Sequence, residues 1–198
     1  KPQTTRNAIR CILTTEKEQI IFVDTPGIHK PKNVLGDYMV NEAGKALAQV
    51  DLICFVVEAG DSRIGEEEEL IIEILSKCGL PIVLAVNKVD KLSDPGFFWK
   101  TVEMYETRIM PAAVVPISAK KGTNMDVFID TLSGMLPVQP PIYPADMLMD
   151  TTERFLAAEV IREKILTFTD QEVPHGTAVV VEEFKSPEEY PELKTCEI

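Results

Sequence analysis

The sequence predicts an α/β protein built on a doubly wound, mostly parallel sheet, on three observations. Four apolar runs rich in β-branched residues, at 20–23, 52–57, 82–86 and 113–117, read as buried strands. Segments with helical spacing lie between them, and that alternation is the pattern of helices packed on both faces of an open sheet. Three of the runs lead straight into polar segments, Asp24-Thr25-Pro26-Gly27, Asn87-Lys88-Val89-Asp90 and Ser118-Ala119-Lys120, and open α/β sheets hold their ligands at that end of the strands.

The elements follow in order. The strand at 20–23 comes after a polar opening, Lys1-Pro2-Gln3-Thr4-Thr5-Arg6. Between the strands at 52–57 and 82–86, Leu70, Ile71, Ile74, Leu75 and Cys78 recur at helical spacing behind Glu66, Glu67, Glu68 and Glu69. Acidic groups in a first turn suit the positive end of the helix dipole. After the strand at 113–117, Met125, Phe128, Ile129, Leu132 and Leu136 predict a helix capped by Thr123 or Asn124 and closed by Pro137. Four prolines within residues 137–144 can continue neither helix nor sheet, so the segment reads as a stiff linker at a domain boundary. Beyond it, Asp150 and Glu153 have capping-box spacing before a helix carrying Phe155, Leu156, Val160, Ile161, Ile165, Leu166 and Phe168. Residues 173–176 break that helix and 177–184 read as a strand. One helix and one strand cannot enclose a core of their own, so a second domain cut short at residue 198 is expected.

The 198 residues are 45% hydrophobic and 26% charged, ordinary for a soluble globular protein. No stretch approaches the roughly 20 apolar residues of a membrane-spanning helix, and the opening residues have neither the apolar core nor the cleavage site of a secretory signal. Acidic residues outnumber basic ones 32 to 20, a formal charge of −12. Nucleic-acid binders carry a basic stripe that releases counterions, and none is legible in the sequence; an RNA-binding surface would lie elsewhere in a parent protein. Cys11, Cys54, Cys78 and Cys196 are scattered, without C-x-x-C or a histidine at ligand spacing. Reduced thiols and a cytosolic setting are expected, with neither a zinc site nor a disulfide framework.

The chemistry-bearing segments define a phosphate and base reader. Asp24 could reach a magnesium ion through its water, and Gly27 could bring a backbone N–H against a terminal phosphate. Guanine presents N1–H and the N2 amine as adjacent donors, which match the two oxygens of the Asp90 carboxylate. Adenine lacks that pair and would leave the carboxylate partly unpaired, a strong basis for discrimination. Lys88 would lie along base and ribose, and the backbone of Ser118-Ala119-Lys120 would meet the base opposite Asn87. A hydroxyl in Thr4-Thr5-Arg6 could complete the magnesium coordination.

With these segments in this order, the chain resembles the GTP-binding domain of the translation-factor-related GTPases, and specifically the Era family, through Lys1-Pro2-Gln3-Thr4-Thr5-Arg6, Asp24-Thr25-Pro26-Gly27-Ile28-His29 and Asn87-Lys88-Val89-Asp90. Glu153-Arg154-Phe155-Leu156-Ala157-Ala158-Glu159-Val160-Ile161-Arg162-Glu163-Lys164 resembles the helix that opens the family's C-terminal KH domain. The resemblance implies a P-loop GTPase-type sheet over residues 1–136, a proline-rich linker over 137–149, and the start of an α+β KH-like RNA-binding domain over 150–198. It implies a GTPase that takes GTP/GDP with magnesium, binds small-subunit ribosomal RNA through its KH domain, assists assembly of that ribosomal subunit, and works in the cytoplasm in peripheral contact with the inner membrane; a monomer is expected. On that mapping Asp24 and Gly27 sense magnesium and the γ-phosphate, and Thr5 (or Thr4) is the mobile-loop threonine. Thr5 and Gly27 then serve catalysis and Thr5 and Asp24 the metal, while Asn87, Lys88, Asp90, Ser118, Ala119 and Lys120 form the guanine site. Ile28 stands where other small GTPases have a water-orienting glutamine, so slow intrinsic hydrolysis is expected, aided by a backbone group, a monovalent cation or the ribosomal partner. His29 is expected as a solvated loop residue rather than a general base.

The sequence departs from the family in what it lacks. G-x-x-x-x-G-K-[ST] occurs nowhere in the 198 residues, so no cradle for the β-phosphate is encoded. The strand that precedes that loop in the family would lie between those at 20–23 and 52–57. The G-x-x-G loop of a KH module is absent as well. An internal, inactive fragment of an Era-type protein is the expectation, and its GTPase parent would turn over GTP. A module that keeps the guanine-reading loops as an interaction platform would not.

Overall fold

The computed structural model describes residues 9–24, 47, 49–60, 63–168 and 178–183. Strands β1 (Ile9–Thr14) and β2 (Gln19–Asp24) form an antiparallel hairpin in which Ile9 faces Asp24 and Thr14 faces Gln19. Its turn is closed by the Thr15 N–H donating to the Glu18 carbonyl at 2.9 Å, while Thr15 Oγ1 accepts from the N–H groups of Lys17 and Glu18 at 3.2 Å. Strands β3 (Ile53–Glu58), β4 (Ile82–Asn87) and β5 (Ala113–Pro116) form a parallel sheet in the order β3-β4-β5. Helix α1 (Glu66–Cys78) crosses from β3 to β4, and α2 (Gly96–Ile109) from β4 to β5; α3 (Met125–Ser133) and α4 (Glu153–Phe168) follow.

The sheet is covered on both faces because β4 is apolar at every position but its last. Ile82, Leu84 and Val86 point to one side, into a cluster with Ile72 and Leu75 of α1 and Val102, Tyr105 and Ile109 of α2. Val83 and Ala85 point to the other, where they meet Val115, Ile117, Phe128 and Leu132 of the β5–α3 unit and Ile20 of the hairpin. Two-residue alternation in a strand buried on both faces thus supplies two cores, the doubly wound arrangement the sequence predicts.

Helix α1 begins with the expected acidic turn and is bounded by two glycines. The Glu68 carboxylate accepts from the Gly65 N–H at 2.7 Å ahead of the four-glutamate turn, and Gly79 ends the helix at φ 71°, which glycine adopts without a Cβ penalty. Asn124, not Thr123, precedes α3; it takes a left-handed φ of 57° and its Nδ2 donates to the Pro116 carbonyl at 2.8 Å.

Four expectations change. The hairpin strand β1 is not among the predicted strands, and it makes the run at 20–23 an antiparallel partner rather than a member of the parallel sheet. Helix α2 is likewise unpredicted: its inner positions Thr101, Val102, Tyr105 and Ile109 include a polar residue, which blurs the apolar period. Of the strand expected at 177–184, the described residues 178–183 carry none; instead Val181 is buried and the Arg154 guanidinium donates to the Val181 and Glu182 carbonyls. Asp150 does not cap α4: the Thr152 Oγ1 accepts from the Phe155 N–H at 3.2 Å, while Asp150 accepts from the Tyr143 hydroxyl at 2.6 Å and pairs with Arg10.

Candidate functional site

The parallel strands end together, which places Glu58, Asn87 and the Ile117-Ser118 pair along one edge of the sheet. Asn87 is the last residue of β4, and its Oδ1 accepts from the Lys88 N–H at 2.7 Å and from the Ala119 N–H at 3.1 Å. That one side-chain oxygen therefore ties the loop after β4 to the loop after β5. Lys88 takes a left-handed φ of 66°, uncommon for a residue with a Cβ, and the reversal sends the chain back so that the Val89 N–H donates to the Ile117 carbonyl at 3.2 Å. Val89–Lys91 form a single 3₁₀ turn.

The turn delivers Asp90 to Ser118. Ser118 is fully buried, and its hydroxyl donates to Asp90 Oδ1 at 2.6 Å while accepting from the Lys121 N–H at 3.2 Å. This hydrogen bond, aided by the Asp90 backbone, Lys121 and Lys91, holds the Asp90 carboxyl below its ordinary value. A carboxylate kept ionised, exposed to solvent and oriented by a buried hydroxyl is an acceptor-only group with a fixed direction, fit to receive two adjacent N–H donors. Ser118 is itself fixed by paired backbone bonds with Thr123 at 3.1 and 3.2 Å. Ala119 and Lys120 lie exposed in the intervening turn.

Asn87, Lys88, Asp90, Ser118, Ala119 and Lys120 thus lie in two adjoining segments, one from the end of β4 and one after β5. Asp24 stands at the C-terminal end of β2, exposed, in the two-stranded sheet. Thr5 and Gly27, with Thr4, Thr25, Pro26, Ile28 and His29, lie outside the described residues. One side chain at this edge escaped the sequence reading: Glu58, which ends β3 and accepts an ion pair from the Lys88 ammonium. Its only signal in the sequence is an acidic residue closing an apolar run. Among the described residues no group of three or more histidine, cysteine, aspartate or glutamate side chains gathers as a metal cluster.

A family model described as the elongation factor Tu GTP binding domain matches residues 2–138. The chain belongs to this family. Within it the chain is homologous to the Era GTPases: it is 46% identical to GTPase Era of Clostridioides difficile (strain 630) over 94% of this chain and 62% of that protein, and 46% identical to GTPase Era of Clostridium botulinum (strain Eklund 17B / Type B) over 93% and 62%. It therefore spans about three fifths of the length of these relatives. Among solved structures, Era in complex with MgGDPNP and nucleotides 1506–1542 of 16S ribosomal RNA matches with a TM-score of 0.87 at 36% identity, over 93% of this chain and 63% of that one. A variant of Aquifex aeolicus Era bound to GDP.AlF4- matches with a TM-score of 0.86 at 35% identity, with the same coverage. The GTP-binding domain of this chain accordingly has the fold that the three ordered segments imply, and the helix after the linker is consistent with the start of a KH domain in Era.

Proposed function

We propose that this chain carries the guanine-reading half of an Era-type GTPase, and that the whole protein hydrolyses GTP with magnesium and acts on small-subunit ribosomal RNA during assembly of that subunit. The observation that carries the reading is the Asp90 carboxylate, held ionised and oriented by buried Ser118 at the end of a parallel sheet. Guanine would place N1–H and the N2 amine on its oxygens; adenine offers an acceptor at N1 and would leave them unpaired. The lysine stem would cover one face of the base. The relatives support the rest, since one solved Era holds MgGDPNP with 16S ribosomal RNA and another GDP.AlF4-.

Magnesium fits the residue at hand: Asp24 is an exposed carboxylate at a strand end, the hard oxygen donor this ion takes directly or through water. It would be held with Thr5, and it would neutralise charge on the phosphates. Gly27 would meet the terminal phosphate through its backbone. With Ile28 following, orientation of the attacking water falls to a backbone group, a monovalent cation or the ribosomal partner. The net charge of −12 sets this chain against RNA at long range, so RNA contact is assigned to the KH domain of the whole protein. A cytoplasmic setting, a monomer, and peripheral contact with the inner membrane are proposed on the resemblance alone; among the described residues no helix is long and apolar enough to cross a membrane.

The test is a calorimetric titration of the 198-residue chain with GDP and magnesium, with ADP as control. Because the 198 residues encode no β-phosphate cradle, only weak heat with GDP, from the base contacts, and none with ADP is expected. Equal heats with the two nucleotides would remove the base-reading role.

A further inference from the structure

We propose that Glu58 is the positioning residue for Lys88 in guanine-nucleotide recognition, an inference that rests on the base-reading function proposed above. Two readers leave the turn after β4, and each has its own anchor. Asp90 goes to the β5 side, where the Ser118 hydroxyl holds it. Lys88, at the left-handed residue of the turn, goes to the β3 side, where its ammonium pairs with the Glu58 carboxylate. The register of the sheet makes this placement systematic: Glu58 is the β3 partner of Asn87, so its carboxylate stands level with the first residue of the base-reading segment.

The backbone beneath Glu58 is fixed on its C-terminal side. The Ala59 N–H donates to the Asn87 carbonyl at 2.8 Å, and the Gly60 N–H donates to Oγ1 of Thr101, a fully buried residue of α2, at 3.1 Å. A rigid strand end thereby presents a carboxylate to a long, flexible side chain that has many rotamers to lose when a ligand orders it. Tying the ammonium down beforehand removes part of that ordering from the binding step. Both side chains are over two fifths exposed, at 42% and 43%. A pair that open to solvent contributes little to folding, so its consequence lies in where it sets the lysine. Pairing also neutralises one carboxylate at the sheet edge that an anionic nucleotide would approach.

The experiment follows amide shifts of the full chain by two-dimensional NMR during titration with millimolar GDP, and with ADP as control, in the wild type, Glu58→Gln, Lys88→Met and the double variant. Glu58→Gln is expected to weaken GDP by about fivefold, the scale of a single exposed charge-assisted contact. In the Lys88→Met background the same change should alter affinity by less than about twofold, because a positioning residue has nothing left to position. Glu58→Asp should recover part of the loss. Unshifted β4 amides in Glu58→Gln would show that the sheet is intact. Wild-type affinity in Glu58→Gln overturns the inference while leaving base reading in place, and so does an equal loss with and without Lys88. A wild-type chain whose Asp90 and Ser118 amides fail to distinguish GDP from ADP overturns the base-reading function itself, and the role of Glu58 with it.

Discussion

On the proposed base-reading role, Asp90 is where a single atom type would decide which purine is bound. Its two oxygens accept, so replacing one with an amide nitrogen turns an acceptor into a donor and inverts the preference. Asp90→Asn is expected to weaken GDP by about a hundredfold and to favour xanthosine diphosphate, whose C2 carbonyl accepts where guanine donates; parallel titrations with the two nucleotides measure the change. Ser118 sets the acid limit of the same contact. The carboxyl is held below its ordinary value of 3.8 chiefly by the Ser118 hydroxyl, so its ionised, ligand-competent form is complete above that value and is lost as pH falls through the lowered one. Ser118→Ala removes the first cause of the shift, and the Asp90 carboxyl resonance should then titrate closer to 3.8, with guanine binding lost at a correspondingly higher pH. An unchanged titration midpoint would place the cause in Lys121 and Lys91 instead. These candidate residues were legible in the sequence because they are contiguous and of restricted type, Asn-Lys-x-Asp and Ser-Ala-Lys after apolar runs. Glu58 was not, because it meets Lys88 across 30 positions through strand register, which no local pattern records.

Elements were legible where their apolar residues run without interruption. β4 reads as a strand from sequence since both of its faces meet core, and five of its six residues are buried. β1 is apolar at Ile9, Cys11, Ile12 and Leu13, but the exposed Arg10 interrupts the run and leaves too short a stretch to mark it. Helix α2 hides behind Pro95-Gly96 and the exposed Phe97 and Trp99, although the Asp94 carboxylate accepting from the Gly96 N–H at 2.8 Å gives its start a physical signal. The same contrast predicts stability. Leu84 is fully buried at the centre of β4, and Leu84→Ala should cost about 2–5 kcal/mol, the transfer loss plus a cavity that a strand between two packed faces cannot close. Val56, in the neighbouring strand but 52% exposed, should lose less than about 1 kcal/mol as Val56→Ala. Urea unfolding of both variants checks the pair, and similar midpoints would show that β4 is not the centre of the core.

At the scale of the molecule, the proline-rich segment is more than a spacer in the chain, because the hairpin holds it at two points. Gln19, the first residue of β2, uses both ends of its amide: Oε1 accepts from the Ile142 and Tyr143 N–H groups at 2.9 Å, and Nε2 donates to the Tyr143 carbonyl at 2.9 Å. Further on, Ile12 N–H donates to the Leu148 carbonyl at 2.8 Å and Asp150 N–H to the Arg10 carbonyl at 3.0 Å, so that Met149 bridges Cys11 as an extra partner for β1. The Tyr143 hydroxyl, donating to Asp150, joins the two points. The entry to α4 is therefore set by the same hairpin whose β2 ends at Asp24. A side-chain amide satisfying three backbone groups at once is hard to replace, since prolines at 140, 141 and 144 leave that stretch few alternative donors. Gln19→Ala is expected to accelerate hydrogen exchange at the Ile142 and Tyr143 amides by about tenfold, the loss of one hydrogen bond each. The Asp150 amide, held by Arg10, and the β4 amides should keep their protection. Exchange at 142 and 143 that does not change would mean the prolines alone hold the path, and acceleration that spreads to Asp150 would mean that the two anchoring points open as one unit.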